Sequence, residues 1–188
     1  MSLCRAAQRG DHERVTELLR AEPQSAVKTW LALSLAAAND WPEVVDALVV
    51  DGKVGPNQTC RIPFAAFCKI PTIVRPALFW AAACGSVASA RRLLEARANV
   101  EGCGASWKIT ALGVAASNGH VGMVKLLLAA NAQPEGFKSV GTLSPLAEAK
   151  KHGHARIVLL LRAALLPPLS GEYSPPNTAT TTQAAATT

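Results

Sequence analysis

Residues 110–128 read TALGVAASNGHVGMVKLLL, and four related stretches occur elsewhere in the chain. These run over Leu3–Leu19, Leu31–Val49, Pro76–Leu94 and Ser144–Leu161. One position sets their common register, and its occupants are Gly10, Asp40, Gly85, Gly119 and Gly153. Successive occupants are 30, 45, 34 and 34 residues apart. Two successive steps of 34 residues predict a repeated structural unit.

Each unit is predicted to contain two helices joined by a tight turn. Ser144 is placed to cap a first helix, and Pro145 then lies in its first turn, where a missing N–H is harmless. Paired alanines such as Ala115–Ala116 keep this helix thin, so that neighbouring units can pack closely. Gly119 can adopt the left-handed conformation that ends a helix, and the apolar run after it predicts a second helix. Since one helix pair cannot bury its own apolar faces, several pairs must stack.

This unit resembles the ankyrin repeat, whose pattern reads T-P-L-H-x-A-A-x-x-G-H-x-x-V-V-x-L-L-L. The stretches at 110–128 and 144–161 match it best. Earlier stretches depart from it, because Asp40 replaces the glycine and Trp41 and Ser86 replace the histidine. The resemblance implies an all-α solenoid of about five helix-turn-helix repeats with loop or hairpin fingers. It also implies that His120 and His154 bind backbone carbonyl groups between repeats.

The domain organisation follows from the same register. Repeats are expected near residues 1–28, 29–50, 76–109, 110–143 and 144–166, which together form one domain over 1–166. The longest step predicts an insertion at 51–75, whose prolines oppose a long helix. A tail at 167–188 is rich in Pro, Thr, Ala and Ser, and this composition predicts disorder.

Cysteine content and hydropathy bear on the compartment. Five cysteines form no C-x-x-C pair, which favours reduced thiols in an intracellular protein. No apolar stretch approaches the ~18 residues of a membrane helix, and the N-terminal residues do not resemble a signal peptide. Both the cytoplasm and the nucleus fit these observations.

Charge is distributed unevenly along the sequence. Residues 1–50 contain five basic and seven acidic groups, whereas residues 51–166 contain fourteen basic and five acidic groups. This asymmetry predicts that a protein partner with an acidic surface is steered toward the C-terminal half. It also leaves open an alternative function, in which the protein binds nucleic acid or an anionic membrane electrostatically through the basic region after residue 50. The basic residues are scattered and lack interleaved aromatic residues, which favours the protein partner.

No catalytic or ligand-binding motif stands out. The chain lacks the glycine-rich motifs that bind nucleotides, and His152 and His154 do not have zinc-site spacing relative to a cysteine. No cysteine is placed beside a histidine as an activated nucleophile. We therefore expect a protein that is not an enzyme and that uses no cofactor, metal or small-molecule substrate.

The family geometry implies where a partner would bind. Ankyrin proteins usually contact partners through finger tips and through the groove formed by first helices. In this chain the groove positions are Ala38, Asn39, Ala83, Cys84, Ser117, Asn118, Lys151 and His152. The finger positions are Glu101, Trp107, Lys108, Phe137 and Lys138. Trp107 suits an interface anchor and equally suits packing between fingers, and both interpretations stay open.

Overall fold

The computed structural model describes residues 2–21, 26–59, 75–101, 109–136 and 144–166. These residues form ten helices and no strand, which confirms the predicted all-α repeat fold. The helices are α1 Leu3–Arg9, α2 His12–Ala21, α3 Ala26–Ala38, α4 Pro42–Val50, α5 Ala77–Cys84, α6 Val87–Glu95, α7 Ala111–Ser117, α8 Val121–Ala129, α9 Pro145–Lys151 and α10 Ala155–Leu165.

The helices lie in two rows. The first helices α1, α3, α5, α7 and α9 pack successively against one another, and so do the second helices α2, α4, α6, α8 and α10. Alanine pairs at 6–7, 36–37, 81–82 and 115–116 are fully buried in the first row. Their small side chains allow close approach of neighbouring helices. Larger apolar side chains fill the space between the rows, among them Leu33, Leu48, Leu78, Leu93, Leu112, Leu127 and Leu161.

A left-handed residue separates the two helices of every described pair. Gly10, Gly85, Gly119 and Gly153 have φ between +76° and +80°. The prediction that Gly119 is left-handed is therefore confirmed. Asp40 adopts the same region with φ +58°, so the second unit keeps the turn without a glycine.

The predicted helix start at Ser144 is also confirmed. The Ser144 hydroxyl accepts a hydrogen bond from the Ala147 N–H at 3.2 Å, and Pro145 follows in the first turn of α9. Thr110 caps α7 in the same way, accepting from the Gly113 N–H at 3.0 Å. Side-chain caps of this kind satisfy backbone donors that have no partner within the helix.

A side chain crosses each junction between neighbouring pairs. The His154 Nε2 atom lies 2.9 Å from the Ser117 carbonyl oxygen, and the His120 Nε2 atom lies 3.0 Å from the Ala83 carbonyl oxygen. These hydrogen bonds confirm the role that the resemblance implied for both histidines. Each one joins the turn of one unit to the first helix of the preceding unit.

Non-histidine residues make the same bond at the other two junctions. The Trp41 indole N–H donates to the Gln8 carbonyl at 3.3 Å, and the Ser86 hydroxyl donates to the Ala38 carbonyl at 2.9 Å. All four acceptors lie two residues before the left-handed residue of the preceding unit. The departures from the repeat pattern therefore preserve the junction bond.

A second set of bonds joins the loops that follow the second helices. The Asn57 carboxamide oxygen accepts from the Asn99 N–H at 2.6 Å. In the next unit, the Glu101 carboxylate accepts from the Gln133 N–H at 2.6 Å. Residues 51–59, the part of the insertion that the structure describes before its gap, contain no helix. The rest of the insertion up to residue 74 and the tail at 167–188 lie outside the described residues.

Candidate protein-binding face

Three positions on each first helix point to the same side of the row. They lie five, two and one residues before the left-handed residue. The first of them is therefore three and four residues before the other two, a spacing that places all three on one helix face. We call their fifteen residues the first-helix face. They are Arg5, Gln8, Arg9, Leu35, Ala38, Asn39, Trp80, Ala83, Cys84, Val114, Ser117, Asn118, Glu148, Lys151 and His152.

Except for the buried Glu148, the residues of this face are partly or fully exposed, unlike those of the core. Within α7, Leu112, Ala115 and Ala116 are buried, whereas Val114 is half-buried and Asn118 is exposed. Because the first helices pack side by side, the equivalent positions form a continuous strip on the side away from the second helices.

All eight groove residues proposed from the sequence lie on the first-helix face. Four of them also take part in the stack: the Asn118 carboxamide donates to the Ala83 carbonyl at 2.8 Å, the Ala38 carbonyl accepts from Ser86, and the Ser117 carbonyl accepts from His154. Lys151 and His152 are exposed. The structure therefore brings these residues together, and their contact with a partner stays a prediction.

The finger residues have a different outcome. Because the Glu101 carboxylate accepts the Gln133 N–H, Glu101 also has a role inside the stack, and its contact with a partner stays a prediction. Trp107, Lys108, Phe137 and Lys138 lie outside the described residues.

The residue five positions before the turn was missed on every first helix. This position is occupied by Arg5, Leu35, Trp80, Val114 and Glu148. For the last four of these residues helical periodicity was a sufficient signal, because each precedes a proposed groove position by three or four residues. No groove position was proposed on α1, so Arg5, Gln8 and Arg9 were all missed. The row is apolar at its three central members and charged at both ends.

Trp80 occupies the middle of this row. Its ring meets the ring of Phe79 edge to face, with centroids 5.9 Å apart. The Arg75 guanidinium lies 4.4 Å from the Phe79 ring centroid and donates to the Ile109 carbonyl at 3.1 Å. Within the described part of the chain, the Trp80 indole N–H is buried and has no hydrogen-bond partner. Partly exposed aromatic residues are frequent anchors at interfaces.

Titratable groups cluster at the C-terminal end of the face. The Glu148 side chain is 8% exposed, and its carboxylate lies 3.5 Å from the His152 Nε2 atom. The pair is ionic only when His152 is protonated. The His152 ring also stacks on the ring of His154 at a centroid distance of 6.4 Å. Among the described residues, no three His, Cys, Asp or Glu side chains are grouped to hold a metal ion.

Two free thiols are present in the described residues, Cys4 and Cys84. Burial raises the pKa of the Cys84 thiol above its usual value, since desolvation disfavours the thiolate. Desolvation likewise raises the pKa of Cys4, although a hydrogen bond and the charge of Lys28 oppose this shift. Cys84 lies on the first-helix face and is the more exposed of the two.

The sequence model of the ankyrin-repeat family, in three copies, matches residues 78–165. This range begins inside α5 and ends with α10. Residues 78–165 of the chain form ankyrin repeats. No curated relative matches the chain. The two helix pairs before the matched range share its left-handed turns and junction bonds, so they continue the same ankyrin architecture.

Ankyrin repeats are generally protein–protein interaction modules and are typically non-catalytic. No helix in the described ranges is long and apolar enough to cross a membrane.

Proposed function

We propose that this ankyrin-repeat chain is a non-catalytic scaffold or adaptor that binds another protein through the first-helix face. One observation carries the proposal: Leu35, Trp80 and Val114 form a row of partly exposed apolar side chains on three adjacent helices. A contiguous apolar strip bordered by polar residues is typical of a protein-binding surface.

The side chains around this row suit such a surface. Asn39, Cys84 and Asn118 are exposed along one edge of it. They provide a polar rim, while the apolar centre provides area that a partner can bury. Trp107 and Phe137, with Lys108 and Lys138, remain predicted finger contacts at the same interface. The free thiols Cys4 and Cys84 fit the intracellular setting that we propose with this function.

The electrostatic alternative has less support from the described cations. Arg92 lies 3.4 Å from the Asp46 carboxylate and also 3.4 Å from the Glu95 carboxylate. It is therefore partly neutralised within the second-helix row. Binding of nucleic acid or an anionic membrane would require such cations to be available for phosphate groups rather than paired with carboxylates.

Val114→Arg is expected to abolish partner capture, because a cation would stand in the middle of the apolar row. Immobilised wild-type and variant proteins are compared by quantitative mass spectrometry of what they retain from cell extract. Val50→Arg is the matched control, since Val50 is 71% exposed on the second-helix row and the charge change is the same. Proteins retained by wild type and by Val50→Arg should be reduced by roughly tenfold or more with Val114→Arg.

A second face variant and a measurement of thermal unfolding distinguish loss of binding from misfolding. Cys84→Arg changes an exposed residue of the same face, and thermal unfolding of each variant is measured beside the capture. Equal retention by the two face variants and by wild type would rule out this face as the binding surface. If Val114→Arg, Cys84→Arg and Val50→Arg all changed the retained proteins to the same extent, a purely electrostatic binder would be favoured instead.

A further inference from the structure

Acidic residues on the described helices lie in the second-helix row, with the single exception of Glu148. The first helices contain five basic residues, Arg5, Arg9, Lys28, Lys150 and Lys151. Their single acidic residue is Glu148, which is buried. The row that carries the proposed binding face therefore has basic residues on α1, α3 and α9, while α5 and α7 carry no charged residue.

The acidic groups of the N-terminal half lie elsewhere. Within the described part of residues 1–50 they lie in turns or on second helices: Asp11, Glu13, Glu17, Asp40, Glu43 and Asp46. Several are engaged there. The Asp40 carboxylate accepts the Ser89 N–H at 2.8 Å, and Asp46 pairs with Arg92. The net negative charge of this half therefore does not describe its first-helix side.

Along the first-helix face, cations stand at both ends and apolar residues in the middle. Arg5 and Arg9 project from α1 and are exposed. Leu35, Trp80 and Val114 follow on α3, α5 and α7, and exposed Lys151 lies on α9. Neighbouring packed helices are about 8–10 Å apart, so four steps place the two basic ends about 32–40 Å apart.

We propose that the partner presents an acidic protein segment to this face, with apolar side chains at its centre and carboxylates toward both ends. This proposal rests on the proposed function and specifies the chemistry of the partner. The apolar centre supplies buried area, while the charged ends accelerate association and fix the position of the segment. A nucleic acid carries phosphates throughout its length and would place charges over the apolar row, so a protein segment fits better.

The test selects random peptides displayed on phage against the wild-type protein, with counter-selection against Val114→Arg. Peptides of about 16 residues are long enough, because an extended chain spans about 3.3 Å per residue. Selected peptides are synthesised, and their affinities are measured by fluorescence anisotropy. They should carry Asp or Glu toward both ends and apolar residues between them.

Charge-reversal variants then distinguish the effect of the cations at the ends of the face from the effect of the protein's net charge. Arg5→Glu with Arg9→Glu should weaken binding of the selected peptides by roughly tenfold or more, and Lys151→Glu should weaken it from the other end. The effect should shrink between about 50 mM and about 500 mM salt as the charges are screened. Arg156→Glu with Arg162→Glu is the control, because it makes the same charge change at two exposed arginines of α10, in the second-helix row.

Any of five results would overturn the proposal. One is selected peptides that require Val114 but have no acidic residues at their ends, and another is selected peptides that bind the Arg5→Glu/Arg9→Glu variant as tightly as wild type. Either result would refute the acidic partner and leave the protein-binding function intact. An equal loss in the α10 control would show a dependence on net charge alone. Tighter binding of a single-stranded oligothymidylate than of any selected peptide would identify a nucleic-acid ligand. A selection that yields no peptide dependent on Val114 would refute both this proposal and the proposed function.

Discussion

Gly119→Ala is expected to lower the free energy of unfolding by about 3 kcal/mol, whereas Gly153→Ala should lower it by about 1 kcal/mol. Both glycines are left-handed, with φ +80° and +76°, so alanine meets the same backbone strain at either position. Their surroundings differ. A Cβ atom on Gly119 would lie 2.7 Å from the His154 ring, while one on Gly153 would have no neighbour within 4 Å.

The larger cost at Gly119 therefore comes from displacing His154. If the ring moves, its hydrogen bond to the Ser117 carbonyl is lost as well, which adds about 1 kcal/mol. Urea denaturation followed by circular dichroism measures both variants. Combining Gly119→Ala with His154→Ala should cost less than the sum of the single changes, because the clash is removed. Equal destabilisation by Gly119→Ala and Gly153→Ala would show that backbone strain alone explains the need for glycine.

Ser86→His is expected to destabilise the protein by about 2–3 kcal/mol, although it restores the residue typical of an ankyrin repeat. At the two junctions with histidine, the facing residue is a glycine whose added Cβ would lie 2.7 Å from the ring. At the corresponding junction Asp40 already has a Cβ, and the small Ser86 leaves room for it. A histidine at position 86 would collide with Asp40.

The same reasoning predicts that the two departures from the repeat pattern are coupled. Adding Asp40→Gly to Ser86→His should restore at least about 1 kcal/mol relative to Ser86→His alone. Asp40→Gly by itself should be destabilising, because Asp40 caps the N-terminus of α6 through the Ser89 N–H. A double-mutant cycle in urea gives the coupling. Additive effects would mean that Ser86 and Asp40 are independent and that this junction does not follow the geometry of the others.

Local chemistry made much of the fold predictable. The left-handed residues, the Ser144 cap and the junction histidines each have a strong sequence signal, and the structure confirms all of them. Trp41 and Ser86 carried no such signal. Their hydrogen bonds reach carbonyl groups 33 and 48 residues away, so only the stacked structure reveals that they replace histidine.

The candidate face was predictable only in part. Leu35 and Val114 were recoverable from helical spacing, because they lie one turn from positions already chosen. The role of Glu101 inside the stack was not recoverable, because its carboxylate accepts a backbone N–H 32 residues away. In the sequence, Glu101 looks like an ordinary charged surface residue. The net charge of each half does not give the charge of the first-helix face, because consecutive helices lie in different rows and separate charges that are adjacent in sequence.

Alkylation of Cys84 tests occupancy of the first-helix face most directly. Cys84 lies on that face, and peptide mass spectrometry follows its modification separately from the other cysteines. Since burial raises the pKa of this thiol, rates are compared at one fixed alkaline pH, where more thiolate is present. A Val50→Cys variant reports in parallel on the second-helix row. With saturating captured partner or selected peptide, the account predicts that Cys84 reacts roughly tenfold or more slowly while Cys at position 50 keeps its rate. An unchanged Cys84 rate, with slowing at position 50 instead, would contradict it.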